Sequence, residues 1–131
     1  LFVKAALEDK EIDVYNYGKM SRDFTYVDDI VNGIHKLILK RNNIFKKYKT
    51  NYRIYNIGNS NPVKLGDFII AIEKKLKMEL KKRLLPIQPG DVSDTFSDVK
   101  NLINDCDYKP DTKIEYGVSK FIDWYRDYYN L

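Results

Sequence analysis

The sequence predicts a mixed α+β fold in which helices dominate and strands are few and short. Long stretches carry apolar residues at steps of three and four, the period of a core-facing helix. Short β-prone runs separate them, bounded by clusters of glycine, proline and asparagine. The chain has 131 residues, the size of one domain, and no long linker or internal repeat. We therefore expect a single domain over residues 1–131.

The first half of the chain predicts a short helix followed by two β-prone segments and a long helix. In order, these are a helical pattern at 1–9, a strand at 12–15, a turn at 17–19, a β-prone run at 22–26, a helix beginning at Val27 and a lysine-rich loop at 42–50. Thr25 and Asp28 have the spacing of a capping box at the start of the long helix. Its predicted core-facing stripe consists of Val27, Ile30, Val31, Ile34, Leu37 and Ile38.

The second half alternates in the same way. It predicts a strand at 52–57, a turn at 58–62, a helix with apolar positions from Leu65 to Leu80, a strand at 84–87, a turn at 89–91, a short helix around 99–103 and a last helix at 117–129. In the last helix, the residues Val118, Phe121, Ile122, Tyr125 and Tyr129 share one side.

Composition narrows the classes of function. No apolar run approaches the roughly 20 residues that span a bilayer, so no membrane partner is expected. The single Cys106 and single His35 are too few for a zinc site, and one cysteine fits a reducing cytoplasm. The net charge of +4 and the lysine clusters leave open a basic nucleic-acid-binding module. Interrupting glutamates at 73 and 79 favour a solvated helix face, and no nucleic acid is expected.

Arg22 is the candidate ligand-binding residue with the clearest chemistry. A guanidinium presents a fork of donors that matches phosphate oxygens, and Arg22 stands between a turn and a helix start. Backbone amides at a helix start add to such an anion site. The alternative is an ion pair with Asp23 or Asp28.

Turn residues supply the other candidates. Asp91 ends the turn Gln88-Pro89-Gly90-Asp91, where a carboxylate can accept hydrogen bonds from the two hydroxyls of a ribose. Ordinary turn chemistry is the alternative. Tyr15 and Tyr17 flank Asn16 near a predicted strand end, where a ring can stack on a base or simply pack.

Two Tyr-x-x-x-Lys pairs, Tyr15 with Lys19 and Tyr116 with Lys120, match the spacing of a tyrosine base and its lysine. With eleven tyrosines and many lysines, such pairs are expected by chance. The six glycines form no phosphate-cradling loop, so no nucleotide-binding fold precedes either pair. We predict no catalytic residue, no cofactor-binding residue and no metal ligand in this chain.

An ordered set of motifs resembles the extended short-chain dehydrogenase/reductase superfamily, and within it NAD-dependent UDP-sugar epimerases of the UDP-glucuronate 4-epimerase type. The motifs are Ile12-Asp13-Val14-Tyr15-Asn16-Tyr17-Gly18, Arg22-Asp23-Phe24-Thr25-Tyr26-Val27-Asp28-Asp29-Ile30, Tyr55-Asn56-Ile57-Gly58, Pro62-Val63-x-Leu65, Leu85-Pro86-Ile87-Gln88-Pro89-Gly90-Asp91-Val92 and Gly117-x-x-x-Phe121-x-x-Trp124-Tyr125. They cover nearly the whole chain in order.

The resemblance implies that this chain is the carboxyl-terminal, substrate-binding portion of such an enzyme. In the family, an amino-terminal Rossmann domain binds NAD, carries the catalytic residues and forms the homodimer, and this chain would lack it. On matching positions, Arg22 would contact the diphosphate and Asp91 the ribose, while Asp13 and Tyr15 would line the uracil site. Phe24 would shape the pocket, and Gln88 stands where galactose epimerases carry an arginine.

The implied activity is 4-epimerisation of a UDP-hexuronate or UDP-hexose through a 4-keto intermediate, in the synthesis of surface polysaccharide. The chain would hold the UDP-sugar and be inactive alone. A nucleotide-sugar dehydratase or decarboxylase of the same superfamily shares this layout and remains the alternative.

Overall fold

In a computed structural model, all residues from 1 to 131 are described, and about 51% of them are helical. The elements are α1 (Phe2–Leu7), β1 (Ile12–Val14), β2 (Ser21–Arg22), α2 (Val27–Tyr48), β3 (Val63–Lys64), α3 (Leu65–Leu76), β4 (Lys82–Leu84), α4 (Lys100–Cys106) and α5 (Ile114–Tyr129). A short 3-10 turn, Tyr15–Gly18, follows β1. The predicted α+β class, with dominant helices and few short strands, is confirmed. None of the helices combines the length and apolar character that a membrane span requires.

The residues group into two compact units. The first unit comprises Leu1–Arg22, Pro62–Thr95 and Lys113–Leu131, and the second comprises Asp23–Asn61 and Phe96–Thr112.

The first unit holds both small sheets and a helical core. Strand β1 pairs with β4 in parallel, and β2 pairs with β3 in antiparallel register, with Arg22 opposite Val63. Helices α3 and α5 pack against each other, because both direct branched aliphatic side chains inward. The core consists of Val3, Ala6, Ile12, Val14, Ile69, Ala71, Ile72, Leu80, Val118 and Ile122.

The second unit is built around α2 and α4, which pack against each other. Its core consists of Ile44, Val99, Leu102, Cys106 and Tyr108. Tyr108 is buried and its hydroxyl donates to the carbonyl oxygen of Gly58 at 3.0 Å. A Cβ added at Gly33 would lie 3.0 Å from the Tyr108 ring, so this glycine permits the close approach of α2.

Helix α2 differs from its prediction in two ways. It continues through the predicted loop at 42–50 to Tyr48, because this stretch contains no glycine or proline and buries Ile44 on the same face as Gly33. Much of the predicted core-facing stripe is exposed: Val27, Val31, Ile34 and Ile38 are each 46–60% accessible. Periodicity correctly identified a helix with an apolar face, and Leu37 of the predicted stripe packs against the core, but the buried residues Gly33 and Ile44 lie outside that stripe.

Three local predictions at the edges of elements were also wrong. Thr25 does not cap α2, since its hydroxyl accepts the N–H of Asn59 at 3.1 Å and the N-cap is Tyr26. Helix α3 ends at Leu76, and Leu80 joins the core from outside the helix. The strand predicted at 84–87 instead forms at Lys82–Leu84 as β4.

Residues 52–57 form no strand, although the sequence predicted one. Their burial nevertheless alternates: Arg53, Tyr55 and Ile57 are half-buried, whereas Tyr52 and Ile54 are exposed. This is the period-two pattern of a strand face. The segment has the side-chain alternation of a strand without a hydrogen-bonded neighbour.

At Gly58, in the second unit, an added methyl group has no room. An added Cβ would lie 2.4 Å from Cβ of Ser97 and 3.1 Å from a carboxylate oxygen of Asp23. That Asp23 oxygen accepts backbone N–H groups of Ser60 at 3.1 Å and Ser97 at 2.9 Å, which fixes the surrounding backbone.

We therefore predict that Gly58→Ala lowers the free energy of unfolding by about 1–3 kcal/mol, the usual cost of overpacking. Urea denaturation of the purified chain measures this. Gly66→Ala is the matched control, since a Cβ there meets nothing within 4 Å and alanine favours the helix. Equal stability of Gly58→Ala and wild type would contradict the packing argument.

Candidate functional site

Arg22 lies at the end of β2 with its guanidinium bound on two sides. Nη1 donates to the carbonyl oxygens of Ser21 at 2.8 Å and Ser93 at 3.1 Å. Nη2 donates to Oδ1 of Asp91 at 2.9 Å, forming an ion pair. The Arg22 side chain is 26% exposed and that of Asp91 is 32% exposed. The guanidinium is therefore fixed in direction while part of it still faces solvent.

Asp91 reaches Arg22 because the chain turns sharply just before it. Gly90 has a φ of +83°, which favours glycine, and the N–H of Asp91 donates to the carbonyl of Gln88 at 3.1 Å. Oδ1 of Asp91 also accepts the N–H of Val92 at 2.9 Å. Folding thus joins a guanidinium and a carboxylate that are 69 positions apart in the sequence. The sequence had offered Asp23 or Asp28 as ion-pair partners of Arg22.

The segment Lys82–Thr95 begins beside Asp13 and ends beside Arg22. Its first residues form β4 beside β1, with Asp13 opposite Arg83. Farther along, the carbonyl of Ser93 accepts the N–H of Ser21 at 2.9 Å, so the segment ends beside β2. Four of the predicted site residues therefore lie on or beside this one segment: Asp13, Gln88, Asp91 and Arg22.

Asp13 forms an ion pair with Arg83. Arg83 contacts Oδ1 of Asp13 through both Nε and Nη2 at 2.7 Å. The hydrogen bond from Arg83 lowers the pKa of the Asp13 carboxyl. Asp13 is thus held as a carboxylate at the start of the segment.

Tyr15 begins the turn that follows β1, and the backbone there is unusual. Asn16, Tyr17 and Gly18 are all left-handed, with φ of 48°, 52° and 76°. This conformation suits glycine and asparagine but is rare for an aromatic residue. The N–H of Tyr17 donates to the carbonyl of Leu85 at 3.0 Å, and the Tyr17 side chain remains 56% exposed. The turn presents this ring to solvent, next to the segment that leads to Asp91.

Phe24 and Gln88 are the remaining predicted site residues. Gln88 is exposed and contributes its carbonyl to the turn before Asp91. Phe24 is half-buried and belongs to the second unit, so its assignment to the pocket stays a prediction.

Sequence reasoning missed Asp94, which stands three residues after Asp91. One carboxylate oxygen accepts the Ser21 hydroxyl and the other accepts the Ser93 hydroxyl. These two hydrogen bonds lower the pKa of Asp94. The available signal was a serine and an aspartate directly after the turn, a pattern too common in loops to single out.

It also missed a buried ionic cluster in the second unit. The Asp105 carboxylate is 0% exposed and accepts hydrogen bonds from Lys47 at 2.7 Å, Tyr48 at 2.9 Å and Tyr55 at 2.8 Å. The Arg53 guanidinium lies 3.6 Å over the Tyr48 ring, with its Nε 3.2 Å from Oδ2 of Asp105. This cluster attaches residues 53–55 to α2 and α4.

The electrostatics of the cluster favour the charged carboxylate. Burial alone would raise the pKa of Asp105, but hydrogen bonds from Lys47, Tyr55 and Tyr48 outweigh it, and the net pKa is lowered. The pKa of Lys47 rises to about 12, chiefly through its hydrogen bond to Asp105. The pKa of Tyr55 also rises to about 12, through burial and then through Asp105.

Comparison with known proteins gives concordant matches. A family model described as the NAD dependent epimerase/dehydratase family matches residues 1–58. Protein CapI of Staphylococcus aureus is 47% identical over 98% of this chain, and UDP-glucuronate 4-epimerase 4 of Arabidopsis thaliana is 33% identical over 98%. The chain is thus similar to proteins of the NAD dependent epimerase/dehydratase family over nearly its whole length. It spans 41% and 32% of these two relatives, in their carboxyl-terminal portion.

A solved member of this family has the same fold over nearly the whole chain. The structure of UDP-glucuronic acid 4-epimerase from Bacillus cereus in complex with UDP-glucuronic acid and NAD matches with a TM-score of 0.79 and 26% identity. The match covers 98% of this chain and 39% of that chain. The recognition of an extended short-chain dehydrogenase/reductase of the UDP-sugar epimerase type is thus confirmed.

NAD, the cofactor in that complex, does not fit the residues of this chain. A dinucleotide site requires a glycine-rich turn between a parallel strand and a helix. The parallel strands here are β1 and β4, and neither leads directly into a helix through such a turn. The six glycines stand in separate segments. We therefore assign no NAD-binding role to this chain.

Asp105→Asn is expected to destabilise the chain by roughly 3 kcal/mol, because the substitution leaves buried donors facing a neutral amide. Since the folded-state pKa of Asp105 is lowered, its stabilising contribution is present above the unfolded pKa and is lost as the pH falls through the folded one. Wild-type stability should therefore fall steeply below about pH 4, and that of Asp105→Asn should fall less.

Denaturant unfolding between pH 2.5 and pH 7 measures both effects. Asp107→Asn is the control, since its side chain is exposed and its left-handed backbone suits asparagine. If both variants showed the wild-type pH dependence, Asp105 would not be an important acid-sensitive group.

Proposed function

We propose that this chain is the UDP-sugar-binding part of an NAD-dependent 4-epimerase that acts on a UDP-hexuronate or UDP-hexose through a 4-keto intermediate. The observation that carries the proposal is the fixed pairing of Arg22 and Asp91. It places a partly exposed guanidinium directly beside a carboxylate that can accept hydrogen bonds from hydroxyl groups. In UDP, the diphosphate and the ribose diol are covalent neighbours, so one ligand offers both groups.

The residue roles follow from this chemistry and from the family. Arg22 contacts the diphosphate, because its guanidinium is fixed and only partly covered. Asp91 accepts hydrogen bonds from the ribose hydroxyls, and its Oδ2 takes no hydrogen bond within the chain. Tyr15 and Asp13 border the uracil, and Gln88 lies at the rim of the site. Phe24 shapes the pocket by analogy with the family alone.

The relatives support the choice of sugar nucleotide. Several related proteins of Arabidopsis thaliana are named UDP-glucuronate 4-epimerases, and a protein of Rhizobium meliloti at 34% identity is named "Probable UDP-glucuronate 4-epimerase". A solved dTDP-glucose 4,6-dehydratase from Bacillus anthracis also matches, with a TM-score of 0.74 at 22% identity, which speaks for the fold alone. We therefore favour the epimerase over the dehydratase.

In this proposal the chain orients its ligand and performs no bond-breaking step. Binding energy from the nucleotide, remote from the reacting carbon, positions the sugar for chemistry elsewhere in the enzyme. No proton acceptor or hydride carrier for the sugar is assigned among these 131 residues.

Arg22→Ala should weaken UDP binding to the purified chain by about 10- to 100-fold, the effect of losing a charged hydrogen-bonding partner of the diphosphate. Isothermal titration calorimetry at constant ionic strength measures this. Arg41→Ala is the charge-matched control on an exposed position of α2. Equal losses in both variants would indicate non-specific charge attraction and contradict the proposal.

Two companion measurements sharpen the result. Arg22→Lys keeps the charge but loses the planar fork, so it should restore only part of the affinity. Replacing UDP by 2′,3′-dideoxy-UDP should weaken binding to wild type but not to Asp91→Asn. A steep salt dependence of binding to a single-stranded RNA oligomer, with no UDP binding, would instead favour a nucleic-acid-binding module.

We further predict that the purified chain does not turn over UDP-glucuronate, even with NAD added, since it carries neither the proton acceptor nor the dinucleotide site. Chromatographic separation of UDP-glucuronate and UDP-galacturonate after incubation checks this. Product formed in proportion to the chain, after removal of contaminating epimerase, would refute the division of labour proposed here.

A further inference from the structure

Asp94 lies where strand β2 meets the end of the segment Lys82–Thr95. Its backbone forms an isolated parallel bridge with Ser21. On either side, the N–H of Ser21 donates to Ser93 at 2.9 Å and the N–H of Thr95 donates to Ser21 at 3.3 Å. Backbone hydrogen bonds alone therefore align Ser21 of β2 with residues 93–95.

The Asp94 carboxylate then joins the same two serines through their side chains. The Ser21 hydroxyl donates to Oδ1 and the Ser93 hydroxyl donates to Oδ2 at 2.7 Å. Each carboxylate oxygen thus accepts one serine hydroxyl, and the hydrogen bond from Ser21 links β2 to the end of the segment Lys82–Thr95.

The same serines supply the two carbonyl oxygens that hold Arg22. Nη1 of Arg22 donates to Ser21 at 2.8 Å and to Ser93 at 3.1 Å. Both acceptors must stay at the correct separation for one nitrogen to reach them. The Asp94 carboxylate contacts both of these serines, although it makes no hydrogen bond to Arg22.

We propose that Asp94 is a positioning residue: through Ser21 and Ser93, it sets the direction of the Arg22 guanidinium and thereby the affinity for the diphosphate of the ligand. The ligand part of this inference rests on the proposed function. An arginine that is already ordered loses less side-chain entropy when it binds an anion, so affinity depends on the support behind it.

A residue that merely stabilises the loop would affect ligand binding differently from the role proposed for Asp94. Loss of loop structure would affect every ligand group, including the nucleoside. Loss of Arg22 alignment should affect only groups that contact the guanidinium. Uridine, which has no phosphate, is therefore the discriminating probe.

The test compares wild type, Asp94→Asn and Asp94→Ala in titrations with UDP and with uridine. Asp94→Ala should weaken UDP binding about five- to tenfold, the equivalent of one lost hydrogen bond, and leave uridine binding within twofold of wild type. Asp94→Asn keeps the shape and one acceptor oxygen, so it should retain part of the affinity. Asp123→Asn, an exposed residue on α5 paired with Lys75, is the control for the change in charge.

A second readout needs no ligand. Rotation about the Nε–Cζ bond of Arg22, measured by NMR on the ¹⁵N-labelled chain, should be at least severalfold faster in Asp94→Ala than in wild type, since the carbonyl pair no longer holds Nη1. Ser93→Ala should act in the same direction. The double variant should be little worse than Asp94→Ala alone, because both changes break one network.

Equal losses of UDP and uridine affinity, or an unchanged rotation rate of Arg22 in both Asp94 variants, would overturn the inference. If wild type bound no UDP, the proposed function of this chain would fail, whereas the rotation rate would still decide the role of Asp94. If Asp94→Ala did not fold, Asp94→Asn and Ser93→Ala would carry both measurements.

Discussion

The arrangement of the candidate site depends on one interaction, the reach of the Arg22 guanidinium across the chain to Ser93 and Asp91. Two-residue strands such as β2 and β3 supply little stability by themselves. What holds the segment that ends at Thr95 against β2 is a set of polar contacts: a backbone bridge, two serine hydroxyls on one carboxylate, and a guanidinium that joins two carbonyls and an aspartate. Most of these groups are partly exposed, so the proposed ligand binding would use the same groups that stabilise this segment. The hydrogen bonds that hold this segment against β2 are therefore largely the ones that orient Arg22 and Asp91.

The second unit is held together by an apolar core and a buried ionic cluster. Its helices pack around Tyr108 and Leu102, and a fully buried aspartate ties the extended residues 53–55 to them. Helix α2 has a second apolar face, with Val31 and Ile38 open to solvent. One face of the helix is buried within this unit, and the other face contributes exposed aliphatic surface. Burial of such a face would add stability that this chain does not draw from its own residues.

Much of the fold was predictable from local sequence. The helical period located α2, α3 and α5. The turn predicted at 89–91 is present, with Gly90 in the left-handed conformation. The errors arose where distant partners decide the outcome. Thr25 had a capping pattern, but Asn59 took its hydroxyl; residues 52–57 had a strand pattern, but no neighbouring strand pairs with them. A pattern in sequence identifies what a segment can do, whereas its partner is fixed by the fold.

The same limit applies to the candidate site. Arg22 and Asp91 were predicted by their chemistry and by resemblance to a family, and the structure places them in contact. Asp94 and Asp105 gave no usable signal, because aspartates are frequent in loops and helix ends, and only their surroundings set them apart. Residues that act on a ligand have recognisable chemical types, but residues that support them are recognised by geometry alone.

The left-handed backbone at Tyr17 has a consequence for how this protein can be evolved in the laboratory. An aromatic side chain in that conformation costs roughly 1 kcal/mol or more that glycine or asparagine would not. A randomised library screened only for heat resistance should therefore enrich these two residues at position 17 and discard the ring. Retention of tyrosine under such a screen would mean that the ring repays the conformational strain through contacts of its own.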